Sequence, residues 1–314
     1  MEKKLLMLLL ASCIMGCAKE KEGQDLKSPE IQRLEEYRPG VPRESFVNTK
    51  GAVIEKIDSV YVIEGDILLS QKQAEEFGAV DTKGAYLNDY RWPDGIVYFC
   101  WPNFVNPQGG IVSTNTFTQT DKIYAAMNYY HKLTGVQFRL CTKVSLGRVG
   151  QGILEQNRIE LIDGEGSYSA LGCQGGVQTL CLDPSWATVG TAIHELGHAI
   201  GLLHEQCRWD RDNYIDIIYN NIQGNKQHNF DKSSKKHQVS SNFDFNSVML
   251  YGSYNSFAVD ESKPTMKKKN GSTWNAQRSY LSESDLAAIR QMYPFQPCNV
   301  VLQKDTSSHS YRRQ

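Results

Sequence analysis

The stretch TAIHELGHAIGLLHE, residues 191–205, decides the fold of this 314-residue chain. Residues four apart on an α-helix share a face, so His194 and His198 can direct both imidazoles at one ion. Gly201 can adopt a positive φ, which ends the helix and lets His204 return as a third ligand. Three histidine ligands leave one coordination position open for water, which is typical of a catalytic zinc site.

Glu195 follows the first of these histidines and projects alongside the expected metal, where it can accept a proton from water. A single histidine on a helix is in most cases a core or surface residue. Here three histidines, a glutamate and a glycine occur at the required offsets inside one apolar helix. We therefore predict one Zn²⁺ in the catalytic domain, with Glu195 as the general base.

Composition and charge exclude other classes of protein. The 34 Lys and Arg residues balance 35 Asp and Glu residues to a formal net charge of -1, so a nucleic-acid partner is not expected. No Cys-x-x-Cys pair occurs, which argues against a cysteine-ligated zinc site or a thioredoxin-type redox motif.

The N-terminal sequence MEKKLLMLLLASCIMGC, residues 1–17, has the pattern of an export signal. Its apolar stretch is too short to span a bilayer as a mature helix. The last four residues resemble a bacterial lipobox, which implies removal of residues 1–16 and lipidation of Cys17. The charged residues that follow suit a solvated tether. The alternative is an ordinary signal peptide that contains a cysteine. We expect an exported protein, lipid-anchored at the bacterial outer membrane or cell surface.

Regular secondary structure is predicted mainly after residue 90. Residues 18–50 are polar and interrupted by prolines, so little core is expected there, although residues 31–37 could form a short helix. A strand, a helix and a second strand in succession imply a right-handed crossover between parallel strands. Besides the histidine helix, strands are predicted at 95–100, 136–140, 159–162 and 177–182, and helices at 123–133 and 282–293.

The residues after His204 carry a narrower resemblance. The pattern HExxHxxGxxH is shared by the metzincins, and here it continues as EQCRWDRDNY, residues 205–214, which resembles the astacin signature. SVMLY at 247–251 resembles the Met-turn of that family, with Leu250 in place of the usual histidine. WPDG at 92–95 resembles the start of its catalytic domain. The resemblance covers about residues 86–298.

The resemblance to astacins implies an α+β fold of two lobes. The upper lobe would contain a twisted mixed sheet and two helices, and the lower one would be irregular and end in a helix, with zinc in the cleft between them. We expect a monomer. Its protein or peptide substrate would lie extended along an edge strand at residues 177–180.

Further residue roles follow from the same resemblance. Met249 would form the apolar floor beneath the zinc. Tyr251 would be an additional metal ligand through its phenol oxygen, and it would bind the oxyanion during turnover. Glu205 would contact the ammonium group of the mature N-terminus.

IEGD at residues 63–66 resembles the FxGD motif of astacin propeptides, in which the aspartate binds the zinc and displaces the catalytic water. Asp66 would then be the zymogen switch, whereas the alternative is a plain turn between two strands. Cleavage is expected near Lys83. The predicted organisation is a signal peptide (1–16), a tether and propeptide (17–83), a catalytic domain (84–299) and a loose C-terminal tail (300–314).

Six cysteines remain if Cys13 leaves with the signal and Cys17 carries lipid, and an even number in an exported chain predicts disulfide bonds. Many astacins have a cysteine at the position of Gly135, so one usual bridge cannot form here. Fifteen connectivities are possible. The favoured pairs are Cys173 with Cys181, by the resemblance, Cys100 with Cys141, which end neighbouring strands, and, by elimination, Cys207 with Cys298.

The sequence therefore predicts a zinc-dependent endopeptidase made as a latent zymogen. Two alternatives from other classes are a non-catalytic surface module for peptide binding or adhesion, and a zinc hydrolase that acts on something other than protein. The presence of Glu195 beside three histidines argues against the first, because a binding module needs no general base.

Overall fold

The structure, a computed structural model, describes residues 30–49, 51–77, 90–101, 117–145, 151–153, 155–232, 243–294 and 301–302. The predicted signal peptide, Cys17, the expected cleavage site at Lys83 and Cys298 lie outside the described residues. Within the described ranges, no helix combines the length and the apolar character that crossing a membrane requires.

Thirteen strands are described, and nine of them form one sheet. Their bounds are β1 (Glu44–Val47), β2 (Val53–Ile57), β3 (Val60–Ile63), β4 (Ile67–Leu69), β5 (Ile96–Cys100), β6 (Gln137–Leu140), β7 (Lys143–Ser145), β8 (Gln151–Ile153), β9 (Arg158–Asp163), β10 (Tyr168–Ala170), β11 (Val177–Leu182), β12 (Ile215–Ile217) and β13 (Met266–Lys268). The large sheet has the order β1-β2-β3-β4-β10-β11-β9-β5-β6, and β12-β13 and β7-β8 form separate pairs.

Four α-helices are described, and the last three of them were predicted from the sequence. They are α1 (Gln71–Glu76), α2 (Thr120–Leu133), α3 (Val189–Ala199) and α4 (Glu283–Met292). Ser282 is the N-cap of α4 and forms a capping box with Asp285. Thr188 caps α3 in the same way with Thr191.

The predicted strand-helix-strand unit is confirmed. Strands β5 and β6 pair in parallel on either side of the α2 connection, and β9 pairs in parallel with β5. The structure therefore has the mixed sheet and few helices of an α+β fold, which confirms the predicted fold class.

The prediction that residues 177–180 form an edge strand is wrong. Strand β11 pairs with β9 on one side and with β10 on the other, so both of its edges are occupied. Strand β10 lies next to β11 and pairs in parallel with β4 on its other side. If the upstream strands β1 to β4 were absent, β10 would be the edge strand. Sequence alternation marks a strand but does not tell which neighbours it acquires.

The region before residue 70 contributes more structure than its composition predicts. Residues 31–37 form no helix, and Leu34 and Tyr37 are buried, so the expectation of little core there is wrong. Strands β1 to β4 extend the sheet of the catalytic domain. The apolar residues of this segment are too sparse to form their own core, but the downstream surface supplies the missing partners. Leu34, for example, packs in a cluster with Phe230 and Phe257.

Two main cores lie on either side of the histidine helix. The upper core combines the sheet with α2, α3 and α4. Helix α4 therefore packs into the upper core, although it follows the irregular lower lobe in sequence. The start of the predicted loose tail is held in place, because the backbone of Leu302 makes two 2.9 Å hydrogen bonds with the Asn128 side chain.

Candidate active site

Helix α3 runs through the centre of the protein, and every residue from Gly190 to Ala199 is buried. Its glycines permit close approach of the lower lobe. A Cβ on Gly190 would clash with the carbonyl oxygen of Arg278, and one on Gly197 would lie 2.9 Å from Met249 Sδ. Met249 thus packs directly under the turn between the two helical histidines.

The three predicted histidine ligands converge on one point. His194 Nε2 lies 3.1 Å from His198 Nε2 and 3.2 Å from His204 Nε2, and all three side chains are buried. Nitrogens that bind one tetrahedral Zn²⁺ at about 2.0–2.1 Å lie roughly 3.3 Å apart. The donor types and their spacing therefore fit zinc.

The outer nitrogen of each ring has an acceptor that directs its Nε2 inward. His194 Nδ1 lies 2.9 Å from the Val248 carbonyl oxygen, and His198 Nδ1 lies 2.7 Å from that of Leu202. Such second contacts fix the tautomer and ring orientation of metal-binding histidines. The position of the third histidine also depends on Gly201, whose φ of 111° reverses the chain after the helix.

His204 has a less expected second contact. Its Nδ1 lies 2.9 Å from Glu64 Oε2, and its backbone N–H donates to the same oxygen at 3.0 Å. Glu64 belongs to the upstream segment and was not predicted to take part in the site. In the sequence, Glu64 stands at the x position of the FxGD-like stretch IEGD, where the motif specifies no residue type.

Asp66 occupies the fourth position of the histidine cluster. Its Oδ2 lies 3.4 Å from both His194 Nε2 and His204 Nε2, and its Oδ1 lies 3.7 Å from His198 Nε2. The preceding residues turn sharply, with φ of 55° at Glu64 and 97° at Gly65. The two interpretations of IEGD therefore coexist, because the motif is a turn between β3 and β4 and also directs a carboxylate into the cluster.

Glu195 is fully buried beside this cluster. Neither of its carboxylate oxygens has a hydrogen-bond partner within the described part of the chain. Burial raises the pKa of Glu195 well above its usual range, and the nearby carboxylate of Asp66 adds to the effect. A carboxylate with raised proton affinity next to a metal site can accept and return a proton.

Tyr251 lies against the third histidine, with its ring centroid 4.5 Å from that of His204. Its hydroxyl donates a 2.6 Å hydrogen bond to the Glu64 carbonyl oxygen. In this state the phenol group is engaged by the upstream segment. Its predicted role as a metal ligand stays a prediction.

Glu205 lies in the lower lobe, and its side chain is largely shielded from solvent. It accepts hydrogen bonds of 2.8 Å from Arg208 Nη1 and from the backbone N–H of Asp244. Burial raises the pKa of Glu205 to about 7, against the opposing effect of Arg208. The predicted contact of Glu205 with a mature N-terminus stays a prediction.

The cysteine pairings stay predictions. The side chains of Cys100 and Cys141 are in hydrogen-bond contact, so they adjoin as expected. This contact and burial both raise the pKa of the Cys141 thiol. Cys173 and Cys181 are not bonded to each other and pack in different clusters. Cys207 donates to the Asn229 carbonyl oxygen at 3.2 Å.

A second upstream contact was not predicted from the sequence. Arg278 donates to the two carboxylate oxygens of Glu35 at 3.1 and 3.2 Å, and Glu35 is only 2% exposed. Burial opposes ionisation of this acid, but the guanidinium group lowers the pKa of Glu35 to about 2. The two residues are 243 positions apart, and no local pattern links them.

Three imidazoles around one point, with an unpartnered buried glutamate beside them, define a metal-dependent hydrolase with a catalytic zinc centre. A family model described as Astacin, a peptidase family, matches residues 99–294, more than half of the chain. The chain belongs to the astacin family, and it is a zinc metalloendopeptidase with one zinc per catalytic domain.

Individual relatives agree with this assignment. Zinc metalloproteinase nas-4 of Caenorhabditis elegans is 31% identical over 73% of this chain and 68% of its own length. Flavastacin of Elizabethkingia meningoseptica is 33% identical over 64% of this chain, but the match spans only 42% of flavastacin. The structure of high choriolytic enzyme 1, a hatching-enzyme zinc protease of the medaka Oryzias latipes, matches with a TM-score of 0.54 and 25% identity, over 66% of this chain and 94% of that one. The family assignment favours the peptidase over the binding module and over a hydrolase of other substrates.

Proposed function

We propose that the chain is a latent precursor, and that removal of the segment upstream of the catalytic domain produces the active endopeptidase. The position of Asp66 carries this proposal. Its carboxylate lies at the fourth position of the histidine cluster, where a catalytic zinc needs an open site for water.

The pairing of β4 with β10 supports the same conclusion. Ser169 lies opposite Ile67 and Ala170 opposite Leu68 in a parallel ladder, and the N–H of Ser169 donates to the Asp66 carbonyl oxygen at 3.0 Å. An extended peptide binds most readily by adding a strand to a sheet edge. Since β11 and β4 cover both edges of β10, an extended substrate has to compete with β4 for this edge.

Charged contacts hold the upstream segment on the catalytic domain. Besides the Glu35–Arg278 pair, His228 Nε2 lies 2.9 Å from Glu55 Oε1, and Glu36 pairs with Lys226. These pairs are largely shielded from solvent, and Arg43 of the upstream segment also pairs with both Glu36 and Glu55. The segment is therefore bound by a network of contacts in addition to Asp66.

In the processed enzyme, the residues of the site have distinct roles in hydrolysis. When bound, zinc polarises the scissile carbonyl group and lowers the pKa of a water molecule. Glu195 accepts the proton of the attacking water and returns it to the leaving amine. Tyr251, released from the Glu64 carbonyl, donates a hydrogen bond to the developing oxyanion.

A digestion assay tests this function. Casein should be cleaved by the processed enzyme and not by the intact precursor, and a zinc chelator should abolish cleavage. Added Zn²⁺ should restore it. Equal casein cleavage by the intact precursor would contradict latency, and cleavage that resists the chelator would contradict a zinc mechanism.

Replacement of Tyr251 by phenylalanine should lower kcat roughly ten- to a thousandfold with little change in KM, as the loss of one oxyanion donor does. Tyr130→Phe is a matched control, because the buried hydroxyl of Tyr130 donates to the Ile193 carbonyl oxygen outside the cluster. This control should lower stability and leave kcat nearly unchanged. A Tyr251→Phe enzyme with a raised KM and a normal kcat would assign the hydroxyl to substrate binding instead.

We also propose that the precursor is exported and lipid-anchored through Cys17. Cleavage near Lys83 would sever the catalytic domain from this anchor, so activation and release would be one event. It would also create an N-terminal ammonium group that is free to pair with Glu205.

Cell fractionation with N-terminal sequencing tests the anchoring. The latent form should be in the membrane fraction, and the active form should be in the medium with an N-terminus near Gly84. A Cys17→Ser precursor should lose the membrane association. An active form that stays in the membrane with Cys17 attached would contradict the coupling of activation to release.

A further inference from the structure

Asn229 has an unusual environment for a buried asparagine. It lies in the 3-10 helix Gly224–Phe230 and is 0% exposed, yet neither Oδ1 nor Nδ2 of its side chain has a hydrogen-bond partner within the described residues. Nearly all buried polar side chains in folded proteins are satisfied, so an exception calls for an explanation.

Other buried asparagines of the lower lobe follow the rule. Asn255 donates from Nδ2 to the Gly252 carbonyl oxygen at 3.0 Å and accepts from the Phe257 N–H at Oδ1. Asn221 donates from Nδ2 to the Lys263 carbonyl oxygen at 2.8 Å. Among the described residues, Asn229 thus differs from these two asparagines because neither its amide oxygen nor its amide nitrogen is paired.

The amide of Asn229 faces the turn that fills the active site. A Cβ on Gly65 would lie 3.5 Å from Asn229 Nδ2 and 3.4 Å from Phe257 Cζ. Gly65 directly precedes Asp66 of the histidine cluster and directly follows Glu64, whose carbonyl accepts from Tyr251. Asn229 thus adjoins the residue that lies between Glu64 and Asp66 in the chain.

The upstream segment passes this amide without bonding to it. Gly65 has a φ of 97°, a conformation that side-chain-bearing residues rarely adopt, and its carbonyl oxygen accepts instead from the N–H of Tyr37 at 2.8 Å. An extended peptide in the same place would have a different backbone course. It presents an N–H and a C=O group at each residue, and a primary amide can both donate and accept.

We propose that Asn229 is a substrate-positioning residue, whose amide hydrogen-bonds the backbone of the peptide residue next to the scissile bond. This inference rests on the proposed removal of the upstream segment. The same amide would then favour substrate over the propeptide, because it gains a partner only when an extended peptide replaces the left-handed turn at Gly65.

Two variants of the full-length precursor, Asn229→Ala and Asn229→Leu, test the inference before and after processing. In the precursors, Tm should stay at the parent value or rise, because no hydrogen bond is lost. In the processed enzymes, KM for a peptide substrate should rise about fivefold with kcat changed less than about twofold, as expected for one lost binding hydrogen bond.

Asn221→Ala is the matched control, and it should lower the Tm of the precursor and leave KM unchanged. The role of Asn229 is overturned if both variants keep the parent KM, or if both lower the precursor Tm as the control does, since Asn229 would then support the fold. An inactive processed parent would contradict the proposed function itself, whereas an active parent with unaltered variants contradicts only the positioning role.

Discussion

Replacement of Glu195 by alanine should reduce peptide hydrolysis by several orders of magnitude and leave the zinc in place. The proposed zinc-binding nitrogens belong to His194, His198 and His204, and their outer nitrogens are held by acceptors on other residues. The variant therefore loses the proton acceptor without losing a metal ligand. The measurement is kcat/KM of the processed enzyme, with zinc content determined by metal analysis on the same sample.

Glu195→Gln gives a stricter version of this test, because it keeps the volume of the side chain and removes its charge. His198→Ala is the contrasting variant, and it should lose zinc and activity together. If a folded, zinc-loaded Glu195→Ala enzyme cleaved peptides at a rate near that of the parent, the role of Glu195 as general base would be wrong.

The parts of the site that the sequence predicts are those with local signals. His194 and His198 lie one helical turn apart, and Gly201 marks the end of the same helix, so eight consecutive residues determine how they are arranged. The β5-α2-β6 unit is likewise read from adjacent segments. In each case the periodicity of one segment determines which side chains share a face.

The parts that were missed depend on contacts between distant segments. The partner of Glu35 is Arg278, and that of the His204 ring is Glu64, 140 positions away. The choice of β11 as edge strand failed for a similar reason, since pairing with β10 and β4 is a property of the assembled sheet. Composition also led to an underestimate of the structure in the segment before residue 70, because apolar residues such as Leu34 are buried against the catalytic domain.

The second large effect concerns latency. Asp66→Ala should give a precursor that cleaves peptides, or processes itself, without an added protease. The carboxylate is fully buried among the three histidines, and burial that would disfavour its charge is outweighed by His204 and His198, which hold the pKa of Asp66 well below its usual range. Alanine offers no ligand atom, so the fourth position of the cluster becomes available to water.

A matched variant separates this ligand effect from the docking of the segment. Glu35→Gln removes the charge that faces Arg278 and leaves the turn at Gly65 untouched, so its precursor should be less stable but still latent. Activity of each unprocessed precursor on a short peptide, with its N-terminus verified after the assay, distinguishes the two. If Asp66→Ala stayed fully latent, the pairing of β4 with β10 would be sufficient to exclude substrate. If Glu35→Gln were as active as Asp66→Ala, latency would depend on how tightly the segment docks and not on the fourth ligand.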